Sequence, residues 1–125
     1  MKDCADKVIQ ETLDAVFRVH KALGPGLLES VYEKALLFEL NEAGLCAQTQ
    51  VPINVSYRGY DLGMGFRADV VVEDSLLPEL KCVDVLNDVH VAQTITYLKL
   101  LGFKRGFLIN FNTRMVRDGI RRISV

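Results

Sequence analysis

Several features that would assign a protein to a specialised class are missing from this chain of 125 residues. No apolar run approaches the roughly 20 residues that a membrane-spanning helix requires. The charged amino terminus has no apolar core of the kind found in secretory signal peptides. The cysteines (Cys4, Cys46 and Cys82) are odd in number and form no Cys-x-x-Cys pair, so neither a disulfide framework nor a zinc site is expected. We therefore expect a cytoplasmic protein with no membrane partner.

The composition that remains is ordinary for a globular protein, with 50% hydrophobic and 25% charged residues. The length predicts one domain over residues 1–125. Charge is distributed unevenly, because residues 1–98 have 8 basic and 15 acidic residues, whereas residues 99–125 have 7 basic residues and only Asp118 as an acid. A basic carboxy-terminal segment favours a polyanionic partner such as nucleic acid. The alternative is a solvated surface whose charge the acidic half neutralises.

Hydrophobic periodicity predicts seven elements in the order α-α-β-β-β-α-β. They are a helix from Asp6 to Leu23, a helix from Leu28 to Glu42, strands over 50–57, 65–72 and 76–83, a helix that opens at Asn87-Asp88 and ends at Gly102, and a strand over 106–111. The second helix is expected to have Val31, Ala35, Phe38 and Leu40 among its apolar positions, and residues 58–61 to form a turn. Since a helix links the last two strands, they can be parallel, in a mixed sheet with helices packed on it.

Three charged residues lie on two strands that are predicted to be neighbours. Alternate side chains of a strand share a face, so Glu79 and Lys81 project together. Asp69 joins them only if it pairs with an odd-numbered position, which requires an odd loop, and we expect residues 73–75 to be that loop. Two carboxylates beside an ammonium group form a minimal site for holding Mg²⁺, or Mn²⁺, against a phosphodiester.

Pro78 directly precedes Glu79 and bears on this site. Proline donates no ladder hydrogen bond, so it favours an edge strand, a bulge or a strand that begins at this point. It either helps to supply the odd register or displaces Glu79 and weakens the site. The sequence leaves both possibilities open.

Five short segments match a known family in the right order along nearly the whole chain. They are Gly26-x-x-Glu29-x-x-Tyr32, Phe66-Arg67-Ala68-Asp69, Glu79-Leu80-Lys81, Ala92-Gln93-x-x-x-Tyr97 and Leu108-Ile109-Asn110-Phe111-Asn112. The chain thereby resembles the GxxExxY protein family, a compact branch of the PD-(D/E)xK nuclease superfamily. The resemblance implies an α/β fold with a restriction-endonuclease-like core, in which a mixed β-sheet is flanked by helices.

The resemblance also implies roles for single residues. Asp69 and Glu79 correspond to the two metal-binding carboxylates, and Lys81 to the lysine that orients water or stabilises the transition state. Glu29 corresponds to an acidic residue of an early helix that helps to hold the metal, and Gln93 to a glutamine of a later helix. The expected catalytic set is therefore Glu29, Asp69, Glu79, Lys81 and Gln93, with Asp69, Glu79 and Glu29 as metal ligands and Tyr32 and Tyr97 in support.

Several of these residues also have an ordinary structural interpretation. Glu29 lies in the first turn of its helix, where a glutamate can cap backbone N–H groups. Tyr32 and Tyr97 can be packing residues, and Gln93 can be a helix-surface amide. Lone histidines such as His90 are more often structural than catalytic.

Taken together, the residues and the resemblance predict Mg²⁺-dependent hydrolysis of phosphodiester bonds in nucleic acid, DNA rather than RNA. The residues expected to contact nucleic acid are Lys99, Lys104, Arg114, Arg117, Arg121 and Arg122. The alternatives are a non-catalytic nucleic-acid-binding or assembly module that retains the nuclease fold, and a small-molecule-binding protein. Because so short a chain has little room for a separate recognition lobe, a symmetric homodimer is expected.

Overall fold

A computed structural model describes residues 4–125 of the chain. The elements in this range are α1 (Cys4–Leu23), α2 (Glu29–Glu42), β1 (Ala47–Tyr57), β2 (Tyr60–Val72), β3 (Leu76–Lys81), α3 (Asp88–Leu101), β4 (Arg105–Asn110), a 3₁₀ turn (Val116–Gly119) and β5 (Ile120–Ser124). The fold is mixed α/β, with one sheet flanked by helices, and the predicted fold class is confirmed. None of the helices in the described range is long and apolar enough to cross a bilayer.

The five strands form one sheet in the order β1-β2-β3-β4-β5. Neighbouring strands are antiparallel except β3 and β4, which are parallel and are linked through α3, as predicted. The strand β5 was not predicted and adds an eighth element to the order. Only two of its five residues, Ile120 and Ile123, are apolar. They are three positions apart with two arginines between them, so the sequence does not show the alternation that is typical of a strand.

The hydrophobic core has two parts, one on each face of the sheet. On one face, α1 and α2 pack through Val16, Tyr32, Leu36 and Leu40 on Val70, Leu80 and Ile109. On the other face, Leu98 of α3 packs with Leu77, Leu108 and Ile123. Because both faces of the sheet are covered where the second half of β2 meets β3, a charged side chain at this place is largely surrounded by apolar groups.

Of the apolar positions expected for α2, Leu40 is buried and Ala35 packs partly buried against the core, whereas the other two are not in the core. Val31 and Phe38 are exposed, and the buried residues are Tyr32, Leu36 and Leu40. These three recur at four-residue spacing, which is the stripe that meets the sheet. The two exposed residues belong to a surface that no described part of the chain covers.

Two chain reversals show how local chemistry set the element boundaries. The reversal between β1 and β2 is confined to Arg58 and Gly59, both with positive φ, so the predicted four-residue turn over 58–61 is too long. The helix α3 begins at Asn87, which with His90 forms a capping box, and it ends at left-handed Gly102. His90 therefore has the structural role expected of a lone histidine.

Candidate active site

The loop between β2 and β3 has the odd length that the sequence required. Val72 pairs with Leu76, and Ser75 donates its backbone N–H to the Val72 carbonyl over 3.1 Å. Glu73 and Asp74 supply the reversal with φ of 52° and 49°. A three-residue loop sets each β2 position opposite a β3 position of the same parity. The expectation of an odd loop is therefore confirmed, and Asp69 and Glu79 are at opposed positions.

The two strands separate immediately after the Val72–Leu76 pair, which is their only regular backbone pairing. The Leu80 N–H points toward β2, so the nitrogen of Pro78, two residues earlier, faces β2 as well. Because proline has no N–H, the antiparallel ladder cannot continue at this position. Pro78 is buried in a central strand, so of the settings that the sequence left open the edge strand is excluded, and the odd register comes from the loop.

Carboxylates replace the missing ladder hydrogen bonds in the gap between β2 and β3. The Asp69 N–H donates to Glu79 Oε1 over 3.2 Å, and the Leu80 N–H donates to Asp69 Oδ2 over 3.1 Å. Each acid therefore uses one oxygen to accept a hydrogen bond from the opposite strand's backbone. The arrangement fixes both side chains on the line where the strands separate.

The pairing of β2 with β1 is also interrupted at Asp69. The pairs Thr49–Val70 and Val51–Ala68 flank a gap in which Gln50, opposite Asp69, has a φ of 52°. Ala68 packs on the α3 side of the sheet and Val70 on the α1/α2 side, although strict alternation would place both on one face. Asp69 thus lies where the strand changes face, which the sequence argument from alternation did not foresee.

Helix α2 brings a third carboxyl group to the same place. Glu29 is its first residue, and the Glu29 and Asp69 carboxyl groups lie within hydrogen-bonding range of each other. The Glu29 side chain therefore faces the sheet rather than capping the helix. The loop before it is held by Tyr32, whose hydroxyl donates to the Gly24 carbonyl and accepts from the Leu27 N–H.

Burial and mutual repulsion govern the protonation of these acids. Burial, reinforced by repulsion from Asp69, raises the pKa of Glu79 from 4.5 to about 8. Burial also raises the pKa of Asp69, against the lowering effects of the Leu80 N–H and Lys81. Burial and repulsion from Asp69 raise the pKa of Glu29. Burial and mutual repulsion thus disfavour the state in which all three carboxyl groups are ionised.

Lys81 ends β3 beside these acids and lowers the pKa of all three. It forms no direct ion pair within residues 4–125, so it acts on them through space. Buried Asn110 lies opposite Lys81 on β4 and holds the chain that follows, since its side chain accepts from the Val83 N–H and donates to the Val83 carbonyl. Asn110 was noticed only as part of a motif, and its role as a clamp was missed.

The helix α3 contributes Tyr97 and Gln93 to the opposite wall. Tyr97 stacks on Phe66 with ring centroids 3.7 Å apart, and burial together with the charges of Glu79 and Asp69 raises its pKa. Gln93 lies one turn earlier and is exposed, with no hydrogen bond to the part of the chain that the structure describes. Tyr97 is thus near the acids, whereas Gln93 is an exposed residue one helical turn away from it.

A further acid near the site was not singled out from the sequence. Glu33 follows Glu29 by one helical turn and raises its pKa. It accepts two hydrogen bonds from the Gln50 side-chain amide, each 3.1 Å long, and so ties α2 to the irregular position of β1. The four-residue spacing from Glu29 was a signal that could have identified it.

The six basic residues expected to contact nucleic acid do not form one surface. They are Lys99, Lys104, Arg114, Arg117, Arg121 and Arg122. The two lysines lie around the turn from α3 to β4, at the end of the sheet where the parallel strands β3 and β4 begin. On β5, Arg121 donates to the Leu86 carbonyl and Arg122 lies over the Phe107 ring. Arg114 and Arg117 follow β4 in the chain and lie at the opposite end of the sheet, where β3 ends.

The donor atoms of the site fit a hard divalent cation. Asp69, Glu79 and Glu29 present oxygen ligands, and a cation would relieve the repulsion that raises their pKa values. Asp69 and Glu79 each keep one oxygen that is not bonded to the backbone. No three His, Cys, Asp or Glu side chains among residues 4–125 already surround a common point.

Comparison with known proteins identifies the type of fold and site. A family model described as the PD-(D/E)XK nuclease superfamily matches residues 6–123. No curated protein and no solved structure matches the chain. PD-(D/E)XK nucleases generally use divalent metal ions, which agrees with the carboxylate donors described above. The match supports a nuclease-type function in general.

Proposed function

Because this chain belongs to the PD-(D/E)XK nuclease superfamily, we propose that it hydrolyses phosphodiester bonds in nucleic acid, DNA rather than RNA, with Mg²⁺ or Mn²⁺ as cofactor. The observation that carries the proposal is the pair of hydrogen bonds across the gap between β2 and β3, in which Glu79 accepts from the Asp69 N–H and Asp69 accepts from the Leu80 N–H. Within the superfamily, we propose membership of the GxxExxY branch, since Glu29 and Tyr32 of that motif lie at the site and in the turn supporting it.

The acids would hold the metal ion. Asp69 and Glu79 offer their oxygens from the two strands, and Glu29 offers a third carboxylate from α2. When bound, the cation supplies charge neutralisation for the phosphate and lowers the pKa of a water molecule. The rigid strands fix the direction from which the acids approach, which reduces the reorganisation required during the reaction.

Lys81 supplies positive charge where negative charge develops on the phosphate in the transition state. It suits this role because it lies near the acids without being neutralised by a direct ion pair in the described chain. Gln93, exposed on α3 one turn before Tyr97, would orient the substrate or water, and Tyr97 would support this side of the site through its contact with Phe66.

Cleavage of a supercoiled plasmid tests the proposal. Wild-type protein should nick or linearise it with MgCl₂ or MnCl₂ but not with EDTA. Asp69→Ala and Lys81→Ala should each lower the rate by about 100-fold or more. Asp14→Ala and Lys34→Ala remove the same charges from exposed helix positions and should leave the rate unchanged. Equal rates for all five proteins would refute the assignment of the site.

A non-catalytic nucleic-acid-binding module is the second candidate. It is favoured by the lack of a ready-made metal-ligand set among residues 4–125. In this version, salt-sensitive binding depends on the basic residues and persists in Asp69→Ala, and no divalent ion produces cleavage. Binding by the wild type without any cleavage would select this alternative.

A homodimer would let one chain address each strand of a duplex. Light scattering should then give twice the chain mass of 14.0 kDa. Observation of only the chain mass at the protein concentration used for cleavage would eliminate the dimer without affecting the proposed chemistry.

A further inference from the structure

A cavity beside the end of α1 is not used by the site described above. It has a volume of about 380 Å³, and its walls include Phe17, Lys21, Pro25, Arg114, Met115 and Arg117. We call it the α1-end pocket. It combines cationic and apolar side chains, and no carboxylate is among its lining residues.

The cations of the α1-end pocket have no counter-ions in the described chain. Lys21, Arg114 and Arg117 are exposed, and none of their side chains forms an ion pair or a hydrogen bond within residues 4–125. In a protein with a net charge of −1, this is a local excess of positive charge that favours an anionic ligand. Guanidinium groups suit phosphate oxygens because they donate two parallel hydrogen bonds.

The apolar part of the α1-end pocket is equally distinctive. Phe17 is 44% exposed and Met115 is 49% exposed, although both are large apolar side chains. An aromatic ring next to guanidinium groups is the combination that binds an unpaired base together with its phosphate. The volume admits about one nucleotide, so the base must leave the duplex stack to enter.

The α1-end pocket is connected to the candidate active site through a short series of contacts. Gly24 lines the pocket and accepts the hydrogen bond from Tyr32, whose ring stacks on Phe111 at 4.5 Å. The Phe111 N–H in turn donates to the Lys81 carbonyl. Pro25 and Glu29 are four residues apart and thus at most about 14 Å from each other.

We propose that the α1-end pocket binds one unpaired nucleotide of the substrate strand, with its phosphate on Lys21, Arg114 and Arg117 and its base against Phe17. This inference rests on the proposed function, because the protein would have a nucleic-acid strand as its substrate only if it is a nuclease. It adds a substrate preference, because the enzyme should favour nucleic acid that is single-stranded or frayed next to the cleaved bond.

Fluorescence anisotropy of a labelled single-stranded dT₁₂ in EDTA tests the pocket without requiring activity. Lys21→Ala/Arg117→Ala should weaken binding by about tenfold at low salt and reduce the slope of log K against log salt by about 1.4. The control, Lys7→Ala/Arg105→Ala, also removes one lysine and one arginine, but far from the pocket. Lys7 lies about 21 Å from Lys21 along α1, and Arg105 lies at the start of β4, whereas Arg117 follows its end. Equal weakening by both pairs would overturn the proposal.

The base is tested separately from the phosphate. Phe17→Ala should weaken binding of dT₁₂ by about fivefold or more but leave binding of an abasic strand of the same length unchanged. Phe38→Ala, which removes an exposed phenylalanine from α2, is the matched control. An equal effect of Phe17→Ala on both strands, or no effect on either, would overturn base recognition by the pocket.

The plasmid assay separates failure of this inference from failure of the proposed function. If the Asp69 and Lys81 variants lose cleavage while the pocket variants bind dT₁₂ as the wild type does, the site assignment is retained and the pocket assignment fails. If no protein cleaves but the pocket variants alone lose binding, the pocket assignment is retained and catalysis fails.

Discussion

Asp69 and Glu79 each serve two purposes, because one oxygen of each accepts a backbone N–H and the other remains for a ligand. The backbone bonds fix the orientation of the acids, and burial keeps them from water. In the absence of a cation, this arrangement disfavours the ionised form of Glu79, whose pKa is raised to about 8. The fold therefore maintains a carboxyl group whose ionisation is unfavourable until a positive charge arrives.

The raised pKa of Glu79 predicts an unusual pH dependence of stability. Since the folded-state pKa lies above the unfolded value, the stabilising contribution is present below pH 4.5 and is lost as pH rises toward 8. Without metal, the free energy of unfolding should fall by up to about 1.4 kcal/mol per pH unit in this window. Urea titrations in EDTA measure it. Glu79→Gln should flatten the profile, and a flat wild-type profile would contradict the burial argument.

Asn110 is expected to matter more for stability than its polar character suggests. Its side chain is buried and satisfies both the N–H and the carbonyl of Val83, just beyond Lys81. Asn110→Ala leaves the Val83 N–H without this partner and the Val83 carbonyl with only a weak 3.5 Å contact to Asn112, so it should cost about 2–3 kcal/mol in urea unfolding. Asn112→Ala, which loses only a 3.5 Å contact to the same carbonyl, is the control. Equal losses in the two variants would argue against the clamp.

Among the elements, the pair β2–β3 determines whether a site exists at all. The strands are joined by a short loop and separate because Pro78 provides no N–H toward β2. The gap admits carboxylates from both strands and lets α2 approach from one face and α3 from the other. An uninterrupted ladder would have used the same N–H groups and left no room for a ligand.

The start of α2 is a second element whose position depends on one side chain. Tyr32 bridges Gly24 and Leu27 in the turn that leads to Glu29. Tyr32→Phe keeps the buried ring but removes both hydrogen bonds, so it should lower the melting temperature only slightly while reducing plasmid cleavage about tenfold by loosening Glu29. Tyr57→Phe, at an exposed strand end, is the control. Unchanged cleavage in Tyr32→Phe would show that the turn does not position Glu29.

For the molecule as a whole, metal binding and folding should be linked. An ion present at ten times its Kd adds about 1.4 kcal/mol to stability, or about 5 °C in Tm for a domain of this length. The increase with MnCl₂ should be larger at pH 8 than at pH 6, because protons compete for Glu79 at the lower pH. Differential scanning fluorimetry measures it, and Glu79→Gln should abolish it. A larger increase at pH 6 would be inconsistent with binding at these acids.

The distribution of charge decides which edge of the molecule meets a polyanion. The acids lie between β2 and β3. The side chains of Lys21, Arg114 and Arg117, which form no ion pair within residues 4–125, lie at the end of the sheet where β3 ends. Residues that are distant in sequence form this positively charged surface. The excess of basic residues after position 98 therefore accounts for only part of its charge. Lys21 comes from the acidic half of the chain.

Several features of this arrangement could be predicted from the sequence, because they depend on the conformations of residues that are close together in the chain. The parity of the 73–75 loop follows from strand alternation, and the ends of α3 follow from Asn87 and Gly102. These features involve residues within a few positions of one another. Their backbone conformations are restricted by sterics and nearby hydrogen bonds, whatever the rest of the chain does.

Other features arose only when distant segments packed together. The face of α2 that is buried, the irregular position of Gln50 opposite Asp69, and the pairing of β5 with β4 all depend on neighbours remote in sequence. The raised pKa of Glu79 depends on its burial in the assembled sheet and on the charge of Asp69 on the neighbouring strand. Burial is a property of the assembled surface, so amino-acid order set the chemistry of each group, and packing set its surroundings.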